Sequence, residues 1–458
     1  MAPVLLISCY ELGHQPLGVA WPLAALRAAG IAAGVVDLAV EGLDEAAVRA
    51  ARLVGIAVPM HTALRLGVEA ARRVRAVNPT AHICFFGLYA WLNRDYLLGR
   101  WADSVIGGEA EAPLARLAAA VLADEAADGL PGVTTAQAKG AAFVRTATLP
   151  VPERAGLPGL AAYARYQDGG EPKLAGYVEA TRGCQHLCRH CPIVPVYNGR
   201  LVVVPVETVL ADTRQQVAAG AAHIVFGDPD FLNGPAHALR VARALHTEFP
   251  QVTFEFTAKV EHLLERRGLF ADFGRLGCTR VTTAVESLSP LVLERLGKGH
   301  TAADVEAALA ILDEAGIAMA PTLVAFTPWT TREDYLEVVE FIEARGLQAS
   351  IAPVQLSIRL LVPPHSALIE TPDATEWLGE LDAPNFTYRW RHPDAGMDAL
   401  WVEVSNVVTE AEARGEAAEA THGRIRALAY AAVGRALPAP KLVRERRQVP
   451  QMSEDWFC

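Results

Sequence analysis

Cysteine is scarce in this sequence, with 7 among 458 residues. Four of the seven lie far apart and three crowd into eight positions, so the spaced, paired cysteines of a secreted disulfide framework are missing. Long apolar runs are also missing, because no stretch reaches the roughly 18 uninterrupted apolar residues that a membrane span needs. No basic region precedes the first apolar residues, as a secretory signal would require. We therefore expect a cytoplasmic protein that does not bind a membrane.

Positive charge is in deficit, since 41 Lys and Arg residues face 52 Asp and Glu residues and the formal net charge is -11. Such a chain has no overall positive field to attract phosphate backbones, so we do not expect nucleic acid as a partner. Hydrophobic residues make up 52% of the chain, which excludes a wholly disordered protein. The length suggests about three domains, or fewer if one of them is a barrel.

The first part of the chain alternates short apolar runs with segments of helical spacing. Strands are predicted near residues 4–8, 31–38, 53–58, 83–87 and 104–106, with helices between them. This alternation is typical of a parallel sheet with crossover helices. We predict a doubly wound, Rossmann-like α/β domain over residues 1–130, followed by a proline-punctuated linker over residues 131–175.

A second and longer alternation begins near residue 176. Strands are predicted near residues 177–181, 223–226, 252–257, 280–285, 318–326 and 352–361. Six βα repeats fit a partial (β/α)6 barrel over residues 176–365, with the chemistry at the carboxyl ends of the strands. Residues 366–458 are predicted to form a mostly helical C-terminal extension, with a helix over 409–436 and a basic segment at 441–447.

Three cysteines directly after the first strand of this alternation form a C-x3-C-x2-C pattern: Cys184, Cys188 and Cys191. At this cysteine frequency the pattern is expected by chance roughly 0.002 times per chain. Three thiolates on one loop can bind three irons of a cubane cluster and leave the fourth iron open to a substrate. The alternative is a structural zinc bound with His186 or His190, although such sites usually use two separated ligand pairs.

With this loop after the first strand of a predicted barrel, the chain resembles the radical S-adenosylmethionine superfamily. The resemblance implies a [4Fe–4S] cluster held by the three cysteines, S-adenosylmethionine bound at the open iron, and an electron donor such as flavodoxin or ferredoxin. It also implies that Asp228 and Asp230, after the second strand, receive the amino group of S-adenosylmethionine. Glu286 and Ser287, after the fourth strand, would then hold its ribose.

Simpler roles are the alternatives for these polar residues. Asp228 and Asp230 suit ordinary loop capping, because aspartate favours such turns. Glu286 suits a solvated loop position. Lys259 and Lys298 match basic positions of the same family, but we interpret both as surface charges.

The first domain resembles the cobalamin-binding domain that precedes the barrel in one large branch of the superfamily. The resemblance rests on two glycine-containing loops that bring together Gly13, His14, Gly18, Gly107, Gly108 and Glu109. Glycine lets the backbone approach a phosphate or a corrin, and a helix N-terminus favours anionic groups. A strict DxHxxG pattern is absent, so the resemblance does not imply a histidine ligand to cobalt. A purely structural domain without a cofactor is the alternative.

Residues 452–458, Met-Ser-Glu-Asp-Trp-Phe-Cys, resemble the start of a C-terminal tail with a Cys-Cys or Cys-selenocysteine pair, for which one group of radical enzymes is named. The resemblance implies that a recoded stop codon follows Cys458. A plain exposed terminus is the alternative.

These patterns lead to one functional hypothesis and two alternatives. We predict a transferase that carries out cobalamin-dependent methyl transfer to an unreactive centre of a small molecule. The first alternative is radical chemistry without cobalamin, such as a rearrangement or aminocarboxypropyl transfer to a soft acceptor such as arsenite. The second is a zinc-stabilised binding protein without catalysis.

Overall fold

The computed structural model describes residues 1–144, 149–439 and 449–454. Two large sheets with flanking helices organise this part of the chain. The basic segment 441–447 and Cys458, both singled out in the sequence, lie outside the described residues. Among the helices in the described ranges, none combines the length and the apolar character that a bilayer crossing needs.

The first sheet has six strands: β1 (Val4–Ser8), β2 (Ala33–Asp37), β3 (Leu53–Ala57), β4 (His82–Phe86), β5 (Ser104–Ile106) and β6 (Val133–Thr135). Its helices are α1 (Leu17–Ala28), α2 (Glu45–Ala50), α3 (His61–Val77), α4 (Leu88–Leu92), α5 (Arg94–Leu97) and α6 (Glu111–Leu122). The strand order is β2-β1-β3-β4-β5-β6, and only β6 runs antiparallel to its neighbour. Because β1 lies between β2 and β3, a crevice forms at the carboxyl ends of β1 and β3.

Strand β1 is buried on both faces. Val4 and Leu6 pack in the cluster that includes apolar residues of α1 and α6. Leu5 and Ile7 pack in the cluster that includes residues of α3. Since successive side chains of a strand point to opposite faces, a sheet with helices on both sides needs a continuous buried run here. That run is the signal that predicted the strand.

The second sheet has seven strands: β7 (Arg165–Gln167), β8 (Lys173–Val178), β11 (His223–Phe226), β12 (Thr253–Thr257), β13 (Cys278–Glu286), β14 (Ala318–Leu323) and β17 (Gln451–Met452). A separate antiparallel ribbon is formed by β9 (Thr181–Gly183) and β10 (Leu201–Val203). The associated helices are α7 (Val194–Tyr197), α8 (Val206–Ala218), α9 (Pro235–Glu248), α10 (Val260–Glu265), α11 (Phe270–Arg275), α12 (Pro290–Leu296), α13 (Ala302–Glu314) and α14 (Arg332–Arg345).

The order of the second sheet is β14-β13-β12-β11-β8-β7-β17. Strands β8, β11, β12, β13 and β14 are parallel and curl into a half barrel, whereas β7 and β17 pair antiparallel at one edge. The predicted α/β fold class, with a doubly wound unit followed by a partial barrel and a mostly helical extension, is confirmed. The domain boundaries at residues 130, 175 and 365 stay a prediction.

The sixth barrel strand predicted over 352–361 is wrong. Residues Pro353–Ser357 form a 3-10 helix, and only a single parallel bridge between Phe326 and Arg359 stands at the sixth position. Proline has no N–H for a strand ladder. The Gln355 side chain also accepts a hydrogen bond from the Leu323 N–H at 3.0 Å, so a side chain rather than a strand covers this end of β14.

The extension after the barrel begins with α15 (Ala374–Trp377) and the hairpin of β15 (Leu378–Asp382) and β16 (Thr387–Trp390). The single helix predicted over 409–436 is wrong, because two helices are present: α16 (Ala395–Arg414) and α17 (Ala418–Ala432). Gly415 separates them in a left-handed conformation with φ 61°, which glycine adopts without steric cost and which ends α16.

The segment that carries β17 links the barrel edge to the first loop of the chain. The Ser453 N–H donates to the Arg165 carbonyl at 2.7 Å, and the Tyr10 hydroxyl donates to the Glu454 carboxylate at 2.5 Å. The Glu454 carboxylate also occupies the space that a Cβ on Gly13 would need. Gly13 is therefore explained by packing against this segment.

Candidate functional site

The three clustered cysteines lie on the loop between β9 and α7, beyond the carboxyl end of β8. The Cys191 N–H donates to the Cys188 carbonyl at 3.1 Å, so the loop turns tightly. The Arg189 N–H donates to the Leu296 carbonyl at 2.9 Å and anchors the loop on α12. All three thiols are free, and all three line one cavity.

The thiols of this loop fit a metal cluster by their number and environment. Burial raises the pKa of Cys191 to about 12, and the neighbouring thiols of Cys188 and Cys184 raise it as well. Burial also raises the pKa of Cys184. Buried thiols that crowd together lose their protons when a metal ion supplies positive charge. Three such donors on one loop match the ligand set of an iron–sulfur cluster with one open iron.

The histidines considered as a fourth zinc ligand have other partners. His190 Nε2 lies 3.4 Å from the Glu286 carboxylate. His186 Nε2 lies 3.3 Å from His262 Nε2, and its Nδ1 lies 3.2 Å from Lys259 Nζ. These contacts favour the three-thiol cluster over a four-ligand zinc site.

Glu286 ends β13 on the side of the barrel where the cysteine loop lies. Its φ of 66° is uncommon for a residue with a side chain, and the register of β13 with β14 shifts here. The carboxylate lies 3.4 Å from Lys298 Nζ. Burial opposes ionisation, but Lys298 and His190 hold the pKa of Glu286 at about 2. An ionised carboxylate on a strained backbone is typical of a functional site.

Asp228 follows β11 and forms hydrogen bonds with the residues that lead from β8 into the cysteine loop. Its two oxygens accept hydrogen bonds from the Ala180 N–H at 2.9 Å and from the Thr181 hydroxyl at 2.5 Å. Burial raises the pKa of Asp228 to about 7. The carboxylate therefore holds backbone in place, and it also lines the cavity.

Asp230 organises the next turn in a similar way. It accepts hydrogen bonds from the Leu232 N–H at 2.9 Å, the Lys259 N–H at 3.1 Å and His262 Nδ1 at 2.9 Å. Together with His186 and His262 it places ligand atoms within 4.8 Å of one another. Both aspartates thus fill the capping role that the sequence left open, at positions that face the cavity.

The interpretation of Lys259 and Lys298 as surface charges is wrong. Lys259 is 7% exposed and Lys298 is 3% exposed. A buried ammonium group needs a partner, and Lys259 pairs with Glu261 while Lys298 pairs with Glu286. The partners are near in the sequence, but the sequence does not show that the two pairs are buried, because burial depends on the packing of the half barrel.

The loop after β1 forms part of the opposite cavity wall. The Glu11 carboxylate accepts hydrogen bonds from the Leu17 and Gly18 N–H groups, both at 3.0 Å, and so caps α1. Burial raises the pKa of Glu11 to about 8. The His14 ring stacks on Tyr177 with centroids 4.4 Å apart, and burial lowers the pKa of His14 to about 4. His14 is therefore a neutral, stacked ring.

Gly107 and Gly108 follow β5 and are packed by the chain itself. A Cβ on Gly107 would lie 2.7 Å from the Trp91 ring. Gly108 has a φ of 76°, and a Cβ there would overlap the Phe143 carbonyl oxygen. Close backbone approach explains both glycines without a bound cofactor.

Arg182 forms ion pairs with three carboxylates between the two sheets. The sequence alone did not identify this residue. Its Nη1 lies 2.8 Å from the Glu109 carboxylate and 2.6 Å from the Glu111 carboxylate, and its Nε lies 2.9 Å from the Glu179 carboxylate. The Tyr197 hydroxyl donates to Glu109 at 2.6 Å. Glu109 therefore binds the barrel rather than facing the cavity directly.

This cluster carries more negative than positive charge in a buried place. Burial raises the pKa of Glu179, although Arg182 opposes the rise. Glu111 Oε2 has no hydrogen-bond partner among the described residues. The Arg182 guanidinium also lies 4.7 Å from the centroid of the Trp21 ring on α1. A single guanidinium two residues before Cys184 thus joins the cysteine loop to the first sheet.

The cavity between the two sheets has a volume of about 560 Å³, within the range of small-molecule sites. Its walls come from the carboxyl ends of β1, β3 and β4 on one side and from the inside of the half barrel on the other. The predicted residues that line it are His14, Gly18, Gly108, Cys184, Cys188, Cys191, Asp228, Asp230 and Glu286. Outside its lining lie Gly13, Gly107, Glu109 and Ser287.

Comparison with known families and structures agrees with this geometry. The Radical SAM superfamily model matches residues 178–342, which contain the cysteine loop and most of the half barrel. A tRNA-2-methylthio-N(6)-dimethylallyladenosine synthase from Desulfosudis oleivorans is 25% identical over 180 residues, which cover 37% of this chain and 38% of that relative. The chain spans less than half of the length of the curated relatives it matches.

Two solved structures share the fold over most of the chain. The radical S-adenosylmethionine methyltransferase TsrM from Kitasatospora setae, with tryptophan and a SAM analogue bound, has a TM-score of 0.61 and 18% identity, covering 81% of this chain and 76% of that one. The cobalamin-dependent S-adenosylmethionine radical enzyme OxsB, with aqua-cobalamin and S-adenosylmethionine bound, has a TM-score of 0.70 and 14% identity, covering 94% of this chain and 73% of that one. The C-x3-C-x2-C loop, the half barrel around it and the matched family model lead to one conclusion: residues 178–342 form a Radical SAM superfamily domain, and the cofactors of that superfamily are a [4Fe–4S] cluster and S-adenosylmethionine.

Proposed function

We propose that this enzyme transfers a methyl group to a small molecule and that it uses cobalamin bound against the first sheet. One observation carries the proposal: the carboxyl edge of the first sheet and the cysteine loop of the half barrel open onto the same cavity. When bound, the cluster supplies the electron that cleaves S-adenosylmethionine, and cobalamin supplies a carrier for the methyl group. The likeness in fold to TsrM and OxsB supports this assignment.

The first-sheet wall suits a large, flat cofactor. Five residues at the end of β3 and at the starts of the segments that follow β1, β3 and β4 give it an apolar surface: Leu17, Ala57, Val58, Pro59 and Leu88. The crevice at a strand-order switch is the usual ligand position in such sheets. Since His14 is stacked on Tyr177, we propose a cofactor held without this histidine as a metal ligand.

On the barrel wall, we propose that Cys184, Cys188 and Cys191 hold the cluster. The ionised Glu286 and the buried Asp228 lie beside them and are proposed to orient S-adenosylmethionine. The hydroxyl and ammonium groups of S-adenosylmethionine would donate charge-assisted hydrogen bonds to these carboxylates. A small electron carrier, such as a flavodoxin or ferredoxin, is the proposed reductant.

We propose a small molecule as the acceptor. The cavity has the size of a small-molecule site. The net charge of -11 gives no electrostatic support for binding tRNA. The methylthiotransferase relatives share less than half of their length with this chain, so their substrates do not transfer to it.

The test uses protein reconstituted anaerobically with iron, sulfide and hydroxocobalamin, followed by gel filtration. We expect bound iron, sulfide and corrin, and S-adenosylhomocysteine and 5′-deoxyadenosine when S-adenosylmethionine and a reductant are added. Methylthioadenosine as the main product would instead favour aminocarboxypropyl transfer. Iron-replete protein without corrin absorbance would refute the proposal.

Two variants test whether the cluster and the corrin bind at separate sites on the two walls of the cavity. Changing Cys184, Cys188 and Cys191 together to alanine should remove iron and leave corrin bound. Leu88→Trp adds bulk on the first-sheet wall, so it should reduce corrin binding and leave iron in place. Parallel loss of both cofactors in both variants would contradict separate sites.

A further inference from the structure

A small recess beside the main cavity lies far from the cysteine loop. It has a volume of about 20 Å³, somewhat more than the roughly 10 to 15 Å³ that one water molecule needs. It shares four residues with the main cavity: Arg280, Thr282, Thr322 and Gln355. Arg280 is the third residue of β13 and Glu286 is its last, so the recess lies about 20 Å along the strand from the cluster end.

The lining of the recess is rich in hydrogen-bond donors. Thr282 and Thr322 contribute hydroxyl groups, and Gln355 contributes an amide whose oxygen already accepts from the Leu323 N–H. Within the described residues that line the recess, Arg280 is the only charged side chain. One guanidinium with neutral donors around it and no acid in the lining is suited to an anion.

The Arg280 guanidinium has few hydrogen-bond partners, although the side chain is only 11% exposed. Its Nη1 lies 3.5 Å from the Pro450 carbonyl and 4.0 Å from the Glu255 carboxylate. Its Nε has no hydrogen-bond partner among the described residues. Arg154, with a similarly buried side chain, instead donates two hydrogen bonds of 2.9 and 2.7 Å to the Asp212 carboxylate. Buried polar groups usually have such partners, so Arg280 has unused capacity.

One ionised group faces Arg280: burial opposes the ionisation of Glu255, but Arg280 and His223 hold the pKa of Glu255 at about 2. Glu255, its register neighbour on β12, also accepts from His223 Nε2 at 3.3 Å. Burial lowers the pKa of His223, and burial lowers the pKa of His14 to about 4. Both rings are therefore neutral at neutral pH. Arg280 is therefore the positive group of this layer of the barrel. Glu255 is its ion-pair partner at 4.0 Å, beyond hydrogen-bond distance, and the Arg280 Nε–H has no partner among the described residues.

We propose that this recess binds a carboxylate group of the substrate while the rest of the substrate lies in the main cavity. This inference rests on the proposed function and names its substrate class: an organic acid with an apolar body. Arg280 donates to the carboxylate, and Thr282, Thr322 and Gln355 complete the site. The apolar surface of the main cavity would contact the body of the acid.

The test compares two probes of nearly the same shape, the anion 3-phenylpropionate and the neutral amide 3-phenylpropionamide. Their dissociation constants are measured by calorimetry or ligand-detected NMR on the anaerobically reconstituted full chain. Wild type should bind the acid about tenfold or more tightly than the amide, as charged hydrogen bonds allow. Arg280→Gln should lose this preference, and Arg280→Lys should keep part of it.

Arg214→Gln is the matched control, because it removes one exposed positive charge that pairs with Glu248 away from the cavity. It should keep the wild-type preference. Equal affinities in wild type, no binding of the acid at about 10 mM, or a preference that survives in Arg280→Gln would overturn the proposal. Corrin retention by wild type is measured separately. Loss of the proposed cobalamin binding can therefore be distinguished from the absence of carboxylate binding in the recess.

Discussion

Replacement of Arg182 by glutamine should destabilise the protein far more than replacement of an exposed arginine. The change leaves the carboxylates of Glu109, Glu111 and Glu179 buried around a neutral side chain. Arg182 is only 12% exposed, and removing one partner of a buried ion pair costs about 3 to 5 kcal/mol. Arg214→Gln, at a position 47% exposed, should cost only a small fraction of that.

The loss should also depend on pH in a defined direction. Burial already raises the pKa of Glu179, and without the opposing charge of Arg182 it should rise further. A raised carboxyl pKa means that the folded state holds its proton more tightly, so stability is lost as pH rises through that pKa. The deficit of Arg182→Gln relative to wild type should therefore be smaller at low pH than at high pH.

The assay is urea denaturation followed by circular dichroism and tryptophan fluorescence, whose transitions must coincide for a free energy of unfolding to be defined. Glu111→Gln is a counter-test, because it removes one of the excess negative charges and should be tolerated better than Arg182→Gln. The reasoning is refuted if Arg182→Gln costs no more than Arg214→Gln, or if its deficit does not change with pH.

Three further predictions concern single positions. Cys188→Ala should lose iron and acid-labile sulfide, whereas Cys278→Ala, on β13, should keep both; iron retained in the first variant would contradict the cluster assignment. Gly108→Ala should destabilise more than Gly99→Ala, since both glycines have φ near 75° but only Gly108 has backbone in the way, and equal urea midpoints would exclude that clash. Burial raises the pKa of Glu11 to about 8, so as pH rises from about 4.5 towards 8 wild type should lose stability relative to Glu11→Gln, and an equal pH dependence of the two proteins would contradict the buried carboxyl.

Local patterns predicted much of this molecule. The buried run of β1 and the helical spacing around it reflect contacts that each element makes along its own length. The C-x3-C-x2-C loop is equally local, since three ligands on one turn need no distant partner to be recognised. Prediction failed at residues 352–361, where Pro353 and the Gln355 side chain replace a strand that apolar content alone favoured.

Features that depend on tertiary packing were missed. Glu261 lies only two residues from Lys259, and Glu286 twelve residues from Lys298, but the sequence does not show that either pair is buried. Arg182 has partners more than seventy residues away, Glu109 after β5 and Glu111 at the start of α6. The alternating acids Glu109 and Glu111 were a usable signal, but only a folded contact identifies the cation between them.

The pairing of β17 with β7 has a consequence for biosynthesis. The edge of the half barrel is completed by residues 451 and 452, and Glu454 then reaches back to Tyr10 in the opening loop of the polypeptide. During translation every other strand of the sheet has left the ribosome before this one, so the nascent barrel has an uncovered edge until its final strand emerges.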